Sequence, residues 1–266
     1  MTSGVVEWGM MKELFLAFAL SAFLQTLSAQ DSIVVSVTYR SLFRQVEEDV
    51  FPYSDTRQLD IWSDGRSDFF CVEEPVVFHD NGDSITIDPR DMHGHVEPYR
   101  VMKNVPAEGL LTFSAGIVTR NFYYEESLPE MSWELMEADS VICGYACQKA
   151  SVTFRGRTWT AWYTEDLPYD DGPWKLRGLP GLILKAEDTN GDFVFDAYSI
   201  GRPQSKALPM NVRGFRKTTY DKYIREWARF LTNMSQYESE MKGRKEDSPS
   251  PQRTPCLMER IEETTN

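Results

Sequence analysis

The chain's clearest set of metal-type ligands is Asp91, His93, His95 and Glu97, at alternate positions. On extended backbone alternate side chains share a face, and imidazole with carboxylate suits zinc, copper or nickel. His79, the remaining histidine, precedes them. Gly94 and Pro98 break the extended pattern, so an exposed polar edge competes with a metal site as the reading. No other cofactor is indicated. Asp188-Thr189-Asn190-Gly191-Asp192 offers oxygens at alternate positions but has Phe193 where a calcium loop needs glycine, so it reads as a hairpin turn. Catalytic signatures are missing: no Gly-x-Ser-x-Gly elbow, phosphate-binding loop, His-Glu-x-x-His or dinucleotide fingerprint. Adjacent acids such as Glu73-Glu74 and Asp170-Asp171 carry little information in so acidic a chain. The reading leans away from an enzyme, with an unrecognised hydrolase as one alternative and metal handling through His93 and His95 as another.

The four cysteines are Cys71, Cys143, Cys147 and Cys256. On one strand Cys143 and Cys147 would stand about 13 Å apart, too far for a disulfide. A local bridge therefore needs a turn at Gly144-Tyr145, and a bridge from Cys71 is the other option. Neither of the pair has the two-residue gap of a redox or zinc motif.

One run is unusually rich in Gly, Pro, Trp and aliphatics: Trp162-Tyr163-Thr164-Glu165-Asp166-Leu167-Pro168, then Gly172-Pro173-Trp174-Lys175-Leu176-Arg177-Gly178-Leu179-Pro180-Gly181-Leu182-Ile183-Leu184. Pro180-Gly181 suits the central positions of a type II turn. Gly172 and Gly178 permit tight bends and close backbone approach. The large apolar side chains either plug the end of a sheet or rim a groove. In the second case Trp162, Tyr163, Trp174, Lys175, Leu179, Pro180 and Gly181 are the ligand-binding candidates. This run, with Ile142 to Ala150 and Phe154-Arg155-Gly156-Arg157 before it, resembles the signature of the GLPGLI family of bacterial envelope proteins. The resemblance is close over about 133–200 and implies an envelope protein with no established activity. Cys143 departs from the family pattern, which has an apolar residue there. The order of sheet, Leu-Pro-Gly loop and strand pair is also loosely similar to half-barrel carriers of lipids and lipoproteins.

The elements that would position these residues are strands. Ser32–Tyr39 alternates and is β-branched. Arg40–Thr56 is mixed and reads as a short helix or long loop. Leu59–Trp62 and Asp68–Val72 flank a turn at Ser63-Asp64-Gly65. Pro75–Phe78 and Ser84–Ile87 flank Asn81-Gly82, a strong hairpin signal. Gly116–Glu125 reads as one strand. Cys147–Phe154 with Arg157–Thr164 form a hairpin turning at Arg155-Gly156, and Gly181–Glu187 with Phe193–Ser199 form another. Tyr220–Met234, capped by Thr218-Thr219, carries Tyr220, Ile224, Trp227, Phe230 and Leu231 at helical spacing. The expected fold is mainly β, an antiparallel sheet, half-barrel or sandwich with one C-terminal covering helix.

At the ends, Met11-Lys12 precedes the apolar run Leu14–Leu27, and Ser28-Ala29 follows, so residues 1–29 read as a signal peptide. No other stretch is apolar enough to span a bilayer, so no transmembrane anchor is expected after cleavage. Residues 30–234 read as one β-rich domain, and 235–266, charged and Ser/Pro-rich, as a disordered polar tail. The net charge of −13 argues against nucleic acid and against charge-driven binding to anionic lipid. The expectation is a secreted or periplasmic, non-enzymatic protein that binds an apolar small molecule, a peptide or an envelope protein.

Overall fold

The computed structural model describes residues 32–47, 52–78, 84–85, 99–117, 120–201, 212–233 and 254–259. The expected signal peptide, the Asn81-Gly82 turn and the Asp91–Glu97 segment lie outside the described residues. The strands are β1 (Ile33–Phe43), β2 (Tyr53–Trp62), β3 (Ser67–Phe78), β4 (Ser84–Ile85), β5 (Arg100–Lys103), β6 (Leu110–Ile117), β7 (Arg120–Ser127), β8 (Glu134–Ile142), β9 (Tyr145–Phe154), β10 (Arg157–Thr164), β11 (Leu182–Asp188), β12 (Phe193–Gly201) and β13 (Arg216–Lys217). One helix, α1 (Tyr220–Thr232), follows. The fold is mainly β, as the alternating sequence requires.

The strands form one sheet in the order β13-β7-β6-β5-β3-β2-β1-β12-β11-β10-β9-β8, with β4 beside β3. All pairs are antiparallel except β13 with β7. The connection from Ser127 to Glu134 joins strands ten positions apart in this order. Its seven steps reach at most about 25 Å, whereas ten flat strand spacings measure about 48 Å. The sheet must therefore curl until its two wings face each other. The ion pair between Arg155 and Glu126, at 2.7 Å, links a hairpin of one wing to a strand of the other. Between the wings lies a core in which Phe195 meets Phe69 edge-on at 5.7 Å and Trp159 at 6.3 Å.

Turn chemistry explains the hairpins. Arg155 and Gly156 both have positive φ, 52° and 72°, the two-residue turn the sequence indicates. Cys143 and Gly144 do the same at 51° and 85°, so the turn falls one residue earlier than a Cys143–Cys147 bridge would need. No disulfide joins any of the four cysteines. Two expectations fail. Arg40–Phe43 and Tyr53–Thr56 are strand rather than helix or loop, because β1 runs on to Phe43 and β2 starts at Tyr53, with Ser41 opposite Asp55. Their inward positions hold polar residues, including the pair Asp55 and Arg57, 2.9 Å apart, which hides the alternation. Gly116–Glu125 is not one strand but the end of β6 and the start of β7, with Ile117 paired to Arg120. The intervening Val118-Thr119 carries no turn chemistry.

Thr219 caps α1 by accepting from the Lys222 amide. The helix buries Tyr223, Ile224, Phe230 and Leu231, with Tyr220 and Trp227 half-buried, so it covers the inner face of β6 and β7 as expected. Part of the stretch assigned to a polar tail is also placed. Pro255 bridges Val46 in antiparallel fashion, and Cys256 and Glu259 are buried. The short run Pro255-Cys256-Leu257-Met258 supplies the apolar surface that the surrounding charged sequence lacks.

Candidate functional site

The signature loop, residues 165–181, runs between the two wings. Asp171 O accepts from the Ile183 amide at 3.0 Å and Leu167 O from the Leu182 amide at 2.9 Å, tying the loop to β11. Lys103 of β5, buried, reaches across to the Asp171 carboxylate and to the carbonyls of Gly172 at 2.7 Å and Leu176 at 3.3 Å. Burial lowers the Lys103 ammonium below its ordinary range, against the pull of Asp171.

Glycine has two different uses in this loop. Gly178 takes the left-handed conformation, φ 96°. Gly181 does not, which corrects the type II turn expected at Pro180-Gly181. Its role is close approach: a Cβ there would lie 2.1 Å from Thr164 O. Trp174 itself has φ 53° and is held by packing, 5.3 Å from the Trp159 ring.

The seven candidate ligand-binding residues separate. Tyr163 and Leu179 are buried in the core, and so is Gly181. Pro180 is exposed. Trp162 alternates away from Trp159 and Tyr163 onto the other face of β10, where Lys149 stands 5.5 Å over its ring. Only Trp174 and Lys175 reach a cavity or a polar cluster. Asp91, His93, His95 and Glu97 lie outside the described residues.

Lys175 is the centre of the site. Its side chain is fully buried. Its ammonium has three N–H donors, and each finds a partner: Tyr124 Oη at 2.9 Å, Glu126 Oε1 at 2.6 Å and Glu259 Oε1 at 2.7 Å. The rings of Phe113, Tyr124 and Tyr220 stand 5.0 to 5.5 Å from Nζ, a cation–π enclosure. Arg155 adds a second cation, 2.7 Å from Glu126 and 3.5 Å from Glu259, with its guanidinium 4.1 Å over Tyr220. Two cations thus balance two carboxylates, with Lys175 and Glu259 out of water and Arg155 and Glu126 partly exposed, and such pairing is the condition under which buried ions are tolerated. Burial, together with Glu259 and Glu126, raises the Tyr124 phenol well above its ordinary value and keeps it protonated. Burial also raises the Glu259 carboxyl, against the opposing pull of Lys175 and Arg155.

Glu259 arrives on an extended segment seated mainly through its backbone. The Glu47 amide donates to Thr254 O at 2.9 Å and the Cys256 amide to Gln45 O at 2.8 Å. Arg157 Nε donates to Leu257 O at 2.7 Å while its Nη1 holds Asp188 at 2.5 Å and Asp192 at 3.0 Å. Those two acids, the ends of the calcium-like pattern, are thus partners of an arginine. Beneath the segment is a cavity of about 90 Å³ lined by Phe43, Phe113, Trp174, Phe193, Tyr223 and Trp227. Sequence reasoning missed Arg155, Arg157, Glu126 and Glu259. The apolar run at 255–258 was the available signal for the last; the others are ordinary charges until the sheet curls.

Residues 113–223 match the family model described as N-glycanase peptide, N-terminal domain. The match takes in the signature loop and ends in the first turn of α1. No curated protein matches the chain. Among solved structures, PNGF-II in a P21 crystal form is similar over 72% of this chain at 16% identity, with a TM-score of 0.45. The C2 form of PNGF-II aligns over 73% at 18% identity and 0.44. The chain spans 32% of the length of either.

Proposed function

We propose that this chain is a non-enzymatic binding protein of the bacterial envelope, of GLPGLI type, that takes an extended peptide in the groove now filled by 254–259. One observation carries the reading: the third donor of the fully buried Lys175 is satisfied by a segment distant in sequence and held by backbone hydrogen bonds. Backbone pairing of an extended peptide, here to residues 45–47 beyond the end of β1, with side-chain pockets for selectivity, is a recurrent mode of peptide recognition. The neighbouring cavity accepts the apolar residues Leu257 and Met258. Export through the N-terminal apolar run would place this groove in the periplasm or outside the cell.

The test uses the whole chain with a protease site inserted between Pro249 and Ser250, cut after folding. The released fragment, residues 250–266, stays with the domain on gel filtration and is displaced by added peptide of residues 252–261. Separation of the two parts, with no peptide rebinding, rejects the groove. The match to an N-glycanase N-terminal domain favours a second reading, recognition of the glycan on such a peptide. Displacement by free N-glycan, and not by peptide, would select it.

A further inference from the structure

The net charge of −13 conceals a local excess of the opposite sign. Through the core, cations face carboxylates: Arg57 with Asp55, Arg100 with Asp68, Lys103 with Asp171, Arg157 with Asp188 and Lys175 with Glu126. Arg120, Arg216, Lys222 and Arg225 differ. Among the described residues their side chains make no ion pair or hydrogen bond, and all four line one cleft between β7, β13 and α1.

The fold brings them there. Arg120 and Phe122 share the face of β7 that carries Tyr124. Arg216 is paired in register with Phe122. Lys222 and Arg225 are three residues apart on α1, a spacing at which like charges repel. Arg229 continues the stripe with its charge shared by Glu226 at 2.6 Å, and Lys217 is tied to Glu125 at 2.6 Å. Among the described residues no acid pairs with the other four, since Glu226, which also lines the cleft, is held by Arg229.

We propose that this cleft binds a compact, multiply charged phosphate ester such as a phosphorylated sugar. Three of the four cations are arginines, whose planar donor fork matches phosphate. Phe122 offers a half-buried ring between them for the C–H face of a sugar. The cleft volume, about 760 Å³, falls in the range of small-molecule sites. Compactness follows from the global charge. An extended polyanion, membrane or nucleic acid, meets the acidic remainder of the surface. A small anion within the cleft lies inside the screening length of about 8–10 Å from the four cations.

The test titrates the full chain at low salt with a hexose bisphosphate, with inorganic phosphate and with vesicles containing anionic lipid. Arginine Nε resonances and calorimetry are the readouts. The bisphosphate binds with a Kd of about 0.1–1 mM, set by several exposed charge contacts. It binds about tenfold more tightly than inorganic phosphate, and about tenfold more weakly at 0.5 M salt. Arg216→Glu with Arg225→Glu, both at exposed positions, lowers affinity at least about tenfold and leaves the melting temperature unchanged. Equal binding by that variant overturns the proposal. So does binding to vesicles alone, or inorganic phosphate binding as well as the ester. The peptide groove is not involved, so neither result bears on it.

Discussion

Replacing Gly181 by alanine is the sharpest perturbation of the signature loop. The added Cβ would lie 2.1 Å from Thr164 O, 2.6 Å from Thr164 C and 3.0 Å from Glu165 Cα. These are backbone atoms, which cannot rotate away as a side chain can. Thr164 is paired in register with Leu182, and the amides of Leu182 and Ile183 hold the loop carbonyls of Leu167 and Asp171. Relief requires a shift of about 1 Å in one of these segments. Overpacking costs about 1–3 kcal/mol, and weakening two buried hydrogen bonds adds about 1–3 kcal/mol. The expected loss is about 2–6 kcal/mol, a large part of the roughly 5–15 kcal/mol that holds a domain folded. For a domain of this size it lowers the melting temperature by about 4–24 °C. Thermal and urea unfolding followed by near-UV circular dichroism measure it. Gly178→Ala, strained by its φ of 96°, costs only about 1–2 kcal/mol, and Pro180→Ala at an exposed position still less. Gly181→Asn discriminates the mechanism: a left-handed turn position tolerates Asn better than Ala, whereas a contact with Thr164 O rejects both. Gly181→Ala within about 1 kcal/mol of the parent, or rescue by Asn, refutes the close-approach argument.

Lys175→Met leaves Glu126 and Glu259 with only the partly exposed Arg155 as counter-charge and destabilises the fold by about 3–5 kcal/mol; urea titration showing less than about 1 kcal/mol would contradict the ionic cluster. Glu259→Lys places a third cation beside Lys175 and Arg155 and releases residues 254–259. Cys256 reports that release: it is 5% exposed, with its thiol pushed up to about 11, chiefly by burial. It should resist thiol reagents at pH 8 in the parent and react at the rate of an open cysteine in the variant. Equal rates would mean the segment is not seated. Docking is also linked to pH through Glu259, which faces Lys175, Arg155, Glu126, Tyr124, Tyr220 and Tyr223. Its docked carboxyl lies above the ordinary 4.5, so the docked form keeps its proton to higher pH than the released form. Docking is therefore tightest below about 4.5 and weakens as pH rises through the raised value. Hydrogen exchange of the Glu47 amide, corrected by core amides, tests this; slower exchange at pH 7.5 than at 5 is the contrary result.

What the sequence by itself determined is local. Arg155-Gly156 announced its hairpin because both residues must reach positive φ, and the Thr219 cap with the spacing of Ile224, Trp227 and Leu231 announced α1. Alternation identified most of the strands, since a strand's two faces are written into adjacent residues. Where polar residues occupy inward positions, as at Ser41, Asp55 and Arg57, that signal is lost, because their burial depends on partners rather than on hydrophobicity. The purpose of Gly181 was equally hidden. A glycine needed for φ and one needed for space read alike, and only the backbone of Thr164 distinguishes them. The site itself belongs to the tertiary structure. Glu126, Arg155, Lys175 and Glu259 come from four separate segments, and Arg120 lines one cleft with Arg216 and Arg225, which lie far from it in sequence. Charge and composition average over the chain, while an electrostatic site depends on which few charges the curled sheet brings within several ångströms.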